Sequence, residues 1–317
     1  MSSCVLLEVK DGGIAHVILN RPGTYNSMNK EMFKRLASII DELSTRKDVR
    51  LVLIRGAGGN FCSGLDLTDV MSNSSGAATL LDAWAPHEHN FAQHVCVGWR
   101  LLPFPVIAVI EGVCLGAGLQ LALGADLRLS REDARFSVLE GKWGLIPDMG
   151  ISVTARGTIR EDVLRQLTFT AAIIPGSRAV ALGLSTEAFA TADALQSRVE
   201  NLLKELLQRT PHALRLGKRL LWDPRGQWRW VGDDKRSTAS TSADNSNKTP
   251  TSNPNTSVAS TGSGAPAKHE WGSWLAGPDD YTRLSHEMKA QVQLLSGEQH
   301  KSLVRKVLGG QGKQAKL

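Results

Sequence analysis

The sequence of 317 residues lacks the features that mark membrane, disulfide-rich and metal-binding proteins. It has no apolar run long enough to cross a membrane, and its first residues contain neither a signal peptide nor an Arg-rich transit peptide. Its four cysteines are scattered, with no CxxC pair and no histidine cluster beside them. We therefore expect no membrane insertion, no metal site and no disulfide framework, and we expect a reducing compartment.

Charge of one sign is only slightly in excess. The chain carries 37 Lys and Arg against 31 Asp and Glu, a net charge of +6. Such an excess fits a solvated basic surface, a nucleic-acid partner or a phosphate-bearing cofactor. The sequence has no lysine-rich helix and no interleaving of basic with aromatic residues, which single-stranded nucleic acids favour. We therefore do not expect a nucleic-acid partner.

One long stretch has almost no residues that could build a core. Between 237 and 267, 28 of 31 residues are Ser, Thr, Asn, Pro, Gly or Ala. Such a segment cannot bury enough apolar surface to offset the entropy lost on ordering. We therefore predict a disordered Ser/Thr/Asn-rich insertion over residues 232–270.

Hydrophobic periodicity predicts an α/β protein. Alternating residues at 5–9 and 14–19, separated by Asp11-Gly12-Gly13, predict a β-hairpin. Further along, buried strands alternate with helices, which indicates a mostly parallel sheet with right-handed crossovers. From residue 161 the pattern is helical, apart from a strand signal at 184–188. The other predicted strands are 51–54, 105–110 and 127–129. One predicted helix begins near residue 30 and another spans 80–102. Four more lie between residues 161 and 221, and the last two span 279–295 and 298–308.

A small-residue turn joins the strand at 105–110 to a helix. Gly116, Ala117 and Gly118 precede an apolar segment at 119–123 that is typical of a helix start. Unpaired N–H groups at a helix N-terminus suit a developing negative charge, although small residues also permit close packing of helix on strand. The loop at residues 60–67 repeats this arrangement, with small residues before a predicted helix.

Several short segments follow one another in an order that resembles a known family. They are Asn20-Arg21-Pro22 with Asn26-Ser27-Met28, residues 61–67, residues 112–120, Phe136 with Glu140, and Gly144-Leu145-Ile146-Pro147. This set resembles the enoyl-CoA hydratase/isomerase (crotonase) superfamily. The resemblance implies an α/β crotonase-like spiral of ββα units over residues 1–200. It also implies a helical C-terminal region at 201–231 and 271–308 that makes CoA and oligomer contacts, and assembly as a homotrimer or hexamer.

The resemblance also assigns roles to individual residues. The backbone amides of Leu65 and Ala117 match the pair that holds the thioester oxygen of an acyl-CoA substrate, and Glu140 matches the acid/base carboxylate. A buried Glu beside an apolar acyl chain should have a raised pKa. Coenzyme A is then part of the substrate, and no separate cofactor or metal is implied. The predicted substrate and CoA contacts are Ser27, Ser63, Gly64, Asp66, Gly116 and Lys306.

Gln120 departs from the pattern of the hydratases. Hydratases of this family carry a second Glu at that position, and an amide cannot exchange a proton at ordinary pH. Moving a double bond needs only one base, so we expect isomerisation in fatty-acid β-oxidation, with Gln120 as a polar orienting group. The alternatives are an enoyl-CoA hydratase, a dienoyl-CoA isomerase, and a non-catalytic acyl-CoA- or RNA-binding protein on the same scaffold.

Asp148 allows two interpretations. It lies eight residues after Glu140, where dienoyl-CoA isomerases of the family carry a catalytic Asp. Those enzymes also have an Asp at the position of Gln120, which this chain lacks. Alternatively, Asp148 caps a helix whose first turn is Met149-Gly150-Ile151. The sequence leaves both open.

The last three residues are a small-basic-leucine tripeptide. Ala315-Lys316-Leu317 is a variant of the Ser-Lys-Leu address that the peroxisomal import receptor reads. It ends a Gly-rich segment, residues 309–317, that we predict to be a flexible tail. We therefore expect that receptor as a partner, and location in a peroxisome or a related organelle such as a glycosome, with the cytoplasm as the alternative.

Overall fold

The computed structural model describes residues 3–70, 90–222 and 278–296. The chain begins with a hairpin: β1 (Val5–Lys10) pairs antiparallel with β2 (Ile14–Leu19). Gly12 and Gly13, at φ of +81° and +78°, make the turn that joins them, in a region that glycine enters without steric cost. The hairpin predicted from the sequence is confirmed.

A larger sheet grows from this hairpin by parallel pairing. Its further strands are β3 (Leu51–Gly56), β4 (Val106–Ile110), β6 (Leu127–Arg131) and β9 (Glu187–Phe189), in the order β1-β2-β3-β4-β6-β9. Every pair after the hairpin is parallel, as expected from the alternation of strands and helices. The strand predicted at 184–188 is displaced: β9 begins at Glu187, because the amides of Leu184 and Ser185 still donate to the carbonyl of Ala179 in the preceding turn.

A second, three-stranded sheet was not predicted. It consists of β5 (Val113–Leu115), β7 (Arg135–Ser137) and β8 (Ile174–Pro175), in the order β5-β7-β8. Its strands have two or three residues each, too few for a period-2 pattern to be recognised. A parallel bridge between Cys62 and Cys114 joins the loop at 60–66 to β5. This bridge sets the loop beside the turn that follows β5.

Helices cover both faces of the large sheet. The first, α1 (Lys30–Thr45), is capped by Asn29, whose side chain accepts a hydrogen bond from Met32 N at 2.9 Å. The alternating side chains of β3 enter two separate cores, with Val52 and Ile54 on the side of α1, and Leu51 and Leu53 on the opposite side. The remaining helices are α2 (Leu67–Val70), α3 (Phe91–Leu101), α4 (Ala117–Leu123), α5 (Ile151–Thr154), α6 (Glu161–Thr170), α7 (Gly176–Ala179), α8 (Ala192–Leu207), α9 (Pro211–Trp222) and α10 (Pro278–Ser296).

The helical C-terminal region expected from the sequence is present in α8, α9 and α10. Helix α8 packs Leu195, Val199, Leu202 and Leu203 onto the face of the sheet that carries Leu51 and Leu53. Helix α10 instead packs near α3 and α5, through Leu284. Among the described residues, no helix combines the length and the apolar character needed to cross a membrane.

All four cysteines are free thiols in the interior. Burial raises the pKa of the Cys62 thiol to about 12 and raises the pKa of the Cys96 and Cys114 thiols as well.

Several predictions from the sequence lie outside the described residues: the insertion at 232–270, the helix at 298–308, Lys306, the tail at 309–317 with its tripeptide, and the first part of the helix at 80–102.

Candidate active site

Two backbone segments meet where β5 turns into α4. Gly64 has φ of +102°, and a Cβ atom added there would lie 2.9 Å from the carbonyl oxygen of Leu115. The same added atom would lie 3.7 Å from the amide nitrogen of Ala117. Only glycine allows this close approach. The loop at 60–66 is therefore held against the first turn of α4.

The amides of Leu65 and Ala117 are free to act as donors. Leu65 is bridged to Met28 through its neighbours, because Met28 N donates to Gly64 O at 2.8 Å and Asp66 N donates to Met28 O at 3.0 Å. The N–H of Leu65 consequently faces away from Met28. Ala117 is the first residue of α4, whose N–H groups have no intrahelical acceptor. Within the described residues neither amide donates to an acceptor, so the pair can bind an oxygen anion.

Glu140 lies directly beside this pair. It begins a short 3-10 turn, Glu140–Trp143, after β7, and only 8% of its surface is exposed. A Cβ atom at Gly116 would lie 3.4 Å from its Oε1, so the carboxyl rests against the residue that precedes Ala117. Its Oε2 has no hydrogen-bond partner in the described part of the chain.

Burial raises the pKa of Glu140 to about 7, because removal from water penalises the charged form. Hydrogen bonds from the backbone and from Gln120 act in the opposite direction and offset part of this rise. A carboxyl group with such a pKa is present in both protonation states near neutral pH. It can therefore accept a proton and return it.

Gln120 connects Glu140 to the loop at 146–152. Its Nε2 donates to Glu140 Oε1 at 2.7 Å, and its Oε1 accepts from Met149 N at 2.9 Å. The backbone N–H of Met149 can only donate, so it fixes which end of the amide group is the oxygen. The nitrogen end must then face Glu140. The orienting role predicted for Gln120 has a geometric basis in these two bonds.

Asp148 does not cap the following helix, so that interpretation of the sequence is wrong. The N-cap residue of α5 is Gly150, at φ of +92°, which has no side chain to accept a hydrogen bond from the helix. The amides at the start of the helix are instead bound by Glu287, whose carboxylate accepts from Gly150 N at 2.7 Å and from Ser152 N at 2.8 Å. Burial, followed by the negative charges of Glu287 and Glu140, raises the pKa of Asp148 to about 7. The catalytic role of Asp148 stays a prediction.

Three predicted substrate contacts lie in a network that supports the loop at 60–66. Both terminal nitrogens of Arg21 donate to Asp66 Oδ2 at 3.0 Å. The Ser27 hydroxyl donates to the same oxygen at 3.3 Å, and the Ser63 hydroxyl donates to the carbonyl of Thr24 at 3.1 Å. These bonds hold the segment after β2 against the loop that carries Leu65.

Sequence reasoning missed Arg21 and Glu287 as parts of the site. Arg21 stands in the Asn20-Arg21-Pro22 motif, and a guanidinium fork there signals a carboxylate partner. Glu287 had no such signal, because a Glu on a helix that also carries Arg283 and Lys289 is typical of an exposed face. Among the described residues, no group of three or more His, Cys, Asp or Glu side chains could hold a metal ion.

The profile of the family described as "Enoyl-CoA hydratase/isomerase" matches residues 9–224. This chain belongs to the enoyl-CoA hydratase/isomerase family. The crotonase-like fold predicted from the sequence is also confirmed. An enoyl-CoA hydratase from Bacillus halodurans superposes with a TM-score of 0.70, covering 96% of this chain and 100% of that chain. At 19% identity this is a likeness of fold alone.

Curated members of the family are similar over the same region. Human mitochondrial methylglutaconyl-CoA hydratase is 31% identical over 217 residues, which cover 67% of this chain and 62% of that protein. The match thus spans less than two thirds of the human protein's length. The peroxisomal Delta(3,5)-Delta(2,4)-dienoyl-CoA isomerase of Arabidopsis thaliana is 28% identical over 223 residues, covering 68% of this chain and 80% of that protein. These relatives have different reactions in their names, so the similarity gives the family without the reaction.

Proposed function

We propose that this family member is an acyl-CoA double-bond isomerase with Glu140 as its acid/base group. Glu140 removes a proton from C2 of a 3-enoyl-CoA, next to the thioester. The electrons then spread over the thioester oxygen, which accepts hydrogen bonds from Leu65 and Ala117. Glu140 returns the proton at C4, and the product is a 2-enoyl-CoA. The whole reaction is a proton transfer, so it needs neither an oxidant nor a reductant.

One observation carries this proposal: Glu140 has one anchored and one unpartnered oxygen beside two free amide donors. Oε1 is fixed by Gln120, while Oε2 has no competing bond to lose before it takes a proton. In this proposal the two amides hold the thioester oxygen, where negative charge develops when the proton leaves. Removing one donor of this kind typically costs about 3 kcal/mol of transition-state stabilisation.

Gln120 disfavours hydration. Adding water across a double bond is easiest with one carboxylate that activates water and another group that supplies the proton. The amide of Gln120 can do neither, and both of its ends are engaged with Glu140 and Met149. A single proton shuttle suits this site better.

Asp148 favours a second candidate, dienoyl-CoA isomerisation. Moving two double bonds requires proton exchange at carbons further apart, which a second titrating carboxyl can serve. Asp148 and Glu140 both have a pKa raised to about 7. Gln120 donates to the carboxyl of Glu140 and accepts from the backbone of Met149, the residue after Asp148. The Arabidopsis relative is named for this reaction.

The remaining expectations follow as parts of the same proposal. We place the reaction in fatty-acid β-oxidation, with the enzyme as a homotrimer or hexamer in a peroxisome or a related organelle, delivered by the peroxisomal import receptor. One similar protein is described as peroxisomal and another as mitochondrial. The predicted substrate or CoA contacts stay predictions: Ser27, Ser63, Gly64, Asp66 and Gly116, with Lys306 outside the described residues.

A product-identified assay tests the reaction directly. Purified protein is incubated with 2-enoyl-, 3-enoyl- and 3,5-dienoyl-CoA, and the products are resolved by mass and chromatography. We expect conversion of 3-enoyl-CoA to 2-enoyl-CoA, abolished in Glu140→Ala and kept in Glu132→Ala, which removes an exposed carboxylate. Full activity of Glu140→Ala would overturn the proposal. Conversion of only the dienoyl substrate, lost in Asp148→Asn, would favour the second candidate.

Binding measurements separate the enzyme from a non-catalytic protein on the same scaffold. An RNA-binding protein should show strong affinity for RNA that falls with salt, and no turnover of any acyl-CoA. We expect measurable turnover and negligible RNA affinity at all salt concentrations. The opposite pair of results would exclude the enzymatic function.

A further inference from the structure

Helix α10 presents one face to the loop at 146–152. Leu284 packs against Val97 and Val153. One turn further along, Glu287 accepts from the backbone of Gly150 and Ser152. One turn beyond that, the side chain of Gln291 accepts from Ile146 N at 3.4 Å. The spacing of these helix residues, three and then four apart, places them in a single row.

Glu287 is the most constrained member of this row. Only 9% of its surface is exposed, and its carboxylate accepts the two backbone bonds at 2.7 and 2.8 Å. Gln93 of α3 adds a longer contact to Oε2 at 3.5 Å while donating to the carbonyl of Leu284 at 2.9 Å. A buried carboxylate is costly unless such donors satisfy it. The loop and α3 supply them.

The loop that Glu287 binds is the loop that orients Gln120. Met149, the residue before Gly150, donates its N–H to Gln120 Oε1, and Gln120 Nε2 donates to Glu140. A shift of Gly150 therefore moves Met149, and a lost bond from Met149 frees the amide of Gln120 to rotate. Rotation would turn an oxygen toward Glu140 and remove the bond that anchors Oε1.

We propose that Glu287 is a positioning residue of the acid/base centre: it fixes the loop at 146–152, so that Met149 and Gln120 hold Glu140 in place for proton transfer. This inference rests on the proposed function, since it assigns Glu287 to the same reaction. Helix α10 lies outside residues 9–224, which match the family profile. The chain thus completes its centre with a segment beyond the family's matched region.

The charge of Glu287 also acts on a carboxyl group of the loop and on a thiol of α3. Its negative charge contributes to the raised pKa of Asp148 and of the Cys96 thiol on α3. At the other end of α5, Arg100 of α3 donates to the carbonyls of Val153 and Thr154 at 3.2 and 2.7 Å. Because the negative charge of Glu287 raises the pKa of Asp148, removing that charge should lower it.

Two substitutions separate the bonds of Glu287 from its charge. Glu287→Asp keeps the charge but withdraws the carboxylate by one methylene, which breaks the bonds to Gly150 and Ser152. Glu287→Gln removes the charge and replaces one acceptor oxygen by a donor. Lys289→Gln is the matched control, because Lys289 is exposed on the same helix.

Steady-state kinetics on 3-enoyl-CoA and two measurements without substrate test the inference. We expect both variants to lower kcat about tenfold or more with KM within about twofold, because misplaced catalytic groups slow chemistry more than binding. We expect faster hydrogen exchange at the amides of Gly150 and Ser152 in both. Carboxyl NMR titration should give a lower pKa for Asp148 in Glu287→Gln and an unchanged one in Glu287→Asp. Lys289→Gln should match the parent protein throughout.

The inference would be overturned if Glu287→Asp and Glu287→Gln both matched Lys289→Gln in amide exchange, in the pKa of Asp148 and in kcat. If Glu287→Gln fails to fold, Glu287→Asp decides alone through kcat and exchange. If the parent protein turns over no enoyl-CoA, the proposed function fails. The exchange and titration results then still decide whether Glu287 positions the loop.

Discussion

Glu140 accepts a hydrogen bond from Gln120 Nε2 at its Oε1, across 2.7 Å, and its Oε2 has no partner in the described residues. The two oxygens of one carboxyl group therefore have different environments. The anchored oxygen fixes the position of the group, and the other is available for the proton. This asymmetry suits a carboxyl group that takes up and releases a proton at one of its two oxygens.

The rate of isomerisation should rise with pH through about pH 7. Glu140 must be ionised to remove the first proton, and burial raises its pKa to about 7. The measurement is kcat/KM for 3-enoyl-CoA between pH 5 and 9. Asp148→Asn should show the same rise of kcat/KM with pH, because Asp148 is not the base when Glu140 alone transfers the proton. An acid limb near 4.5, the ordinary value of a Glu, would contradict the assignment.

Gln120→Glu should raise the hydration of 2-enoyl-CoA by about a hundredfold or more, which is the usual contribution of a second acid/base group. A carboxylate at this position can still accept from Met149 N and faces Glu140, so the two carboxyl groups would share a proton. Product analysis of the 3-hydroxyacyl-CoA formed measures the effect. Gln120→Ala is the control and should not gain hydration. Equal hydration by the Glu and Ala variants would mean that the missing second carboxylate is not what limits hydration.

Glu140→Gln should be more stable than the parent protein at pH 8. The folded state raises the pKa of Glu140 from 4.5 to about 7, so it binds the proton more tightly than the unfolded state. The stability linked to this group is fully present below pH 4.5 and is lost as the pH rises through 7. A shift of this size corresponds to roughly 3 kcal/mol.

Urea unfolding at pH 8 and pH 5 measures this difference. The advantage of Glu140→Gln in free energy of unfolding should shrink toward pH 5, where Glu140 of the parent protein is protonated. Glu132→Gln, at an exposed site, should change stability at neither pH. A loss of stability in Glu140→Gln at pH 8 would mean that the buried charge is compensated by contacts other than those described.

Gly116→Ala should lower both stability and kcat. Gly116 has φ of +51° and ψ of −121°, and a new Cβ would lie 3.4 Å from Glu140 Oε1. The backbone strain costs about 1–3 kcal/mol, and the added methyl presses on the carboxyl group of Glu140. Gly157→Ala is matched, because Gly157 has φ of +74° and nothing within 4 Å of its added Cβ. Gly157→Ala should lose stability and keep kcat. An equal kcat in both variants would contradict the expectation that a methyl group at position 116 displaces the Glu140 carboxyl.

The sequence predicts the larger elements because their patterns are long. The hairpin, the parallel strands and α1 carry several periods of alternation or helical spacing, and the structure has them at nearly the predicted bounds. The three-stranded sheet escapes prediction because β8 has only two residues. Its pairing depends on β7, which is distant in the sequence, rather than on any local preference.

The candidate site divides in the same way. Glu140, Gln120 and the amides of Leu65 and Ala117 were predicted from motifs, and the structure brings them together. Glu287 could not be predicted, because a carboxylate becomes a buried cap only when α10 packs on α5. The same contact explains why the capping role proposed for Asp148 fails: Glu287 already occupies the amides of Gly150 and Ser152.

The reaction rate of the buried thiols reports how often the surrounding structure opens locally. Cys62 and Cys114 are fully buried and sit where the loop at 60–66 meets β5, while Cys96 lies inside α3. A bulky disulfide reagent can reach each of them only during a local separation of these elements, so its rate of reaction reads the free energy of that separation. Cys62 and Cys114 each lie a few residues before one of the two amides, those of Leu65 and Ala117, so their labelling reports the separation of the loop at 60–66 from β5. No cysteine has to be introduced by mutation, and a bound acyl-CoA that holds the loop at 60–66 should slow the labelling.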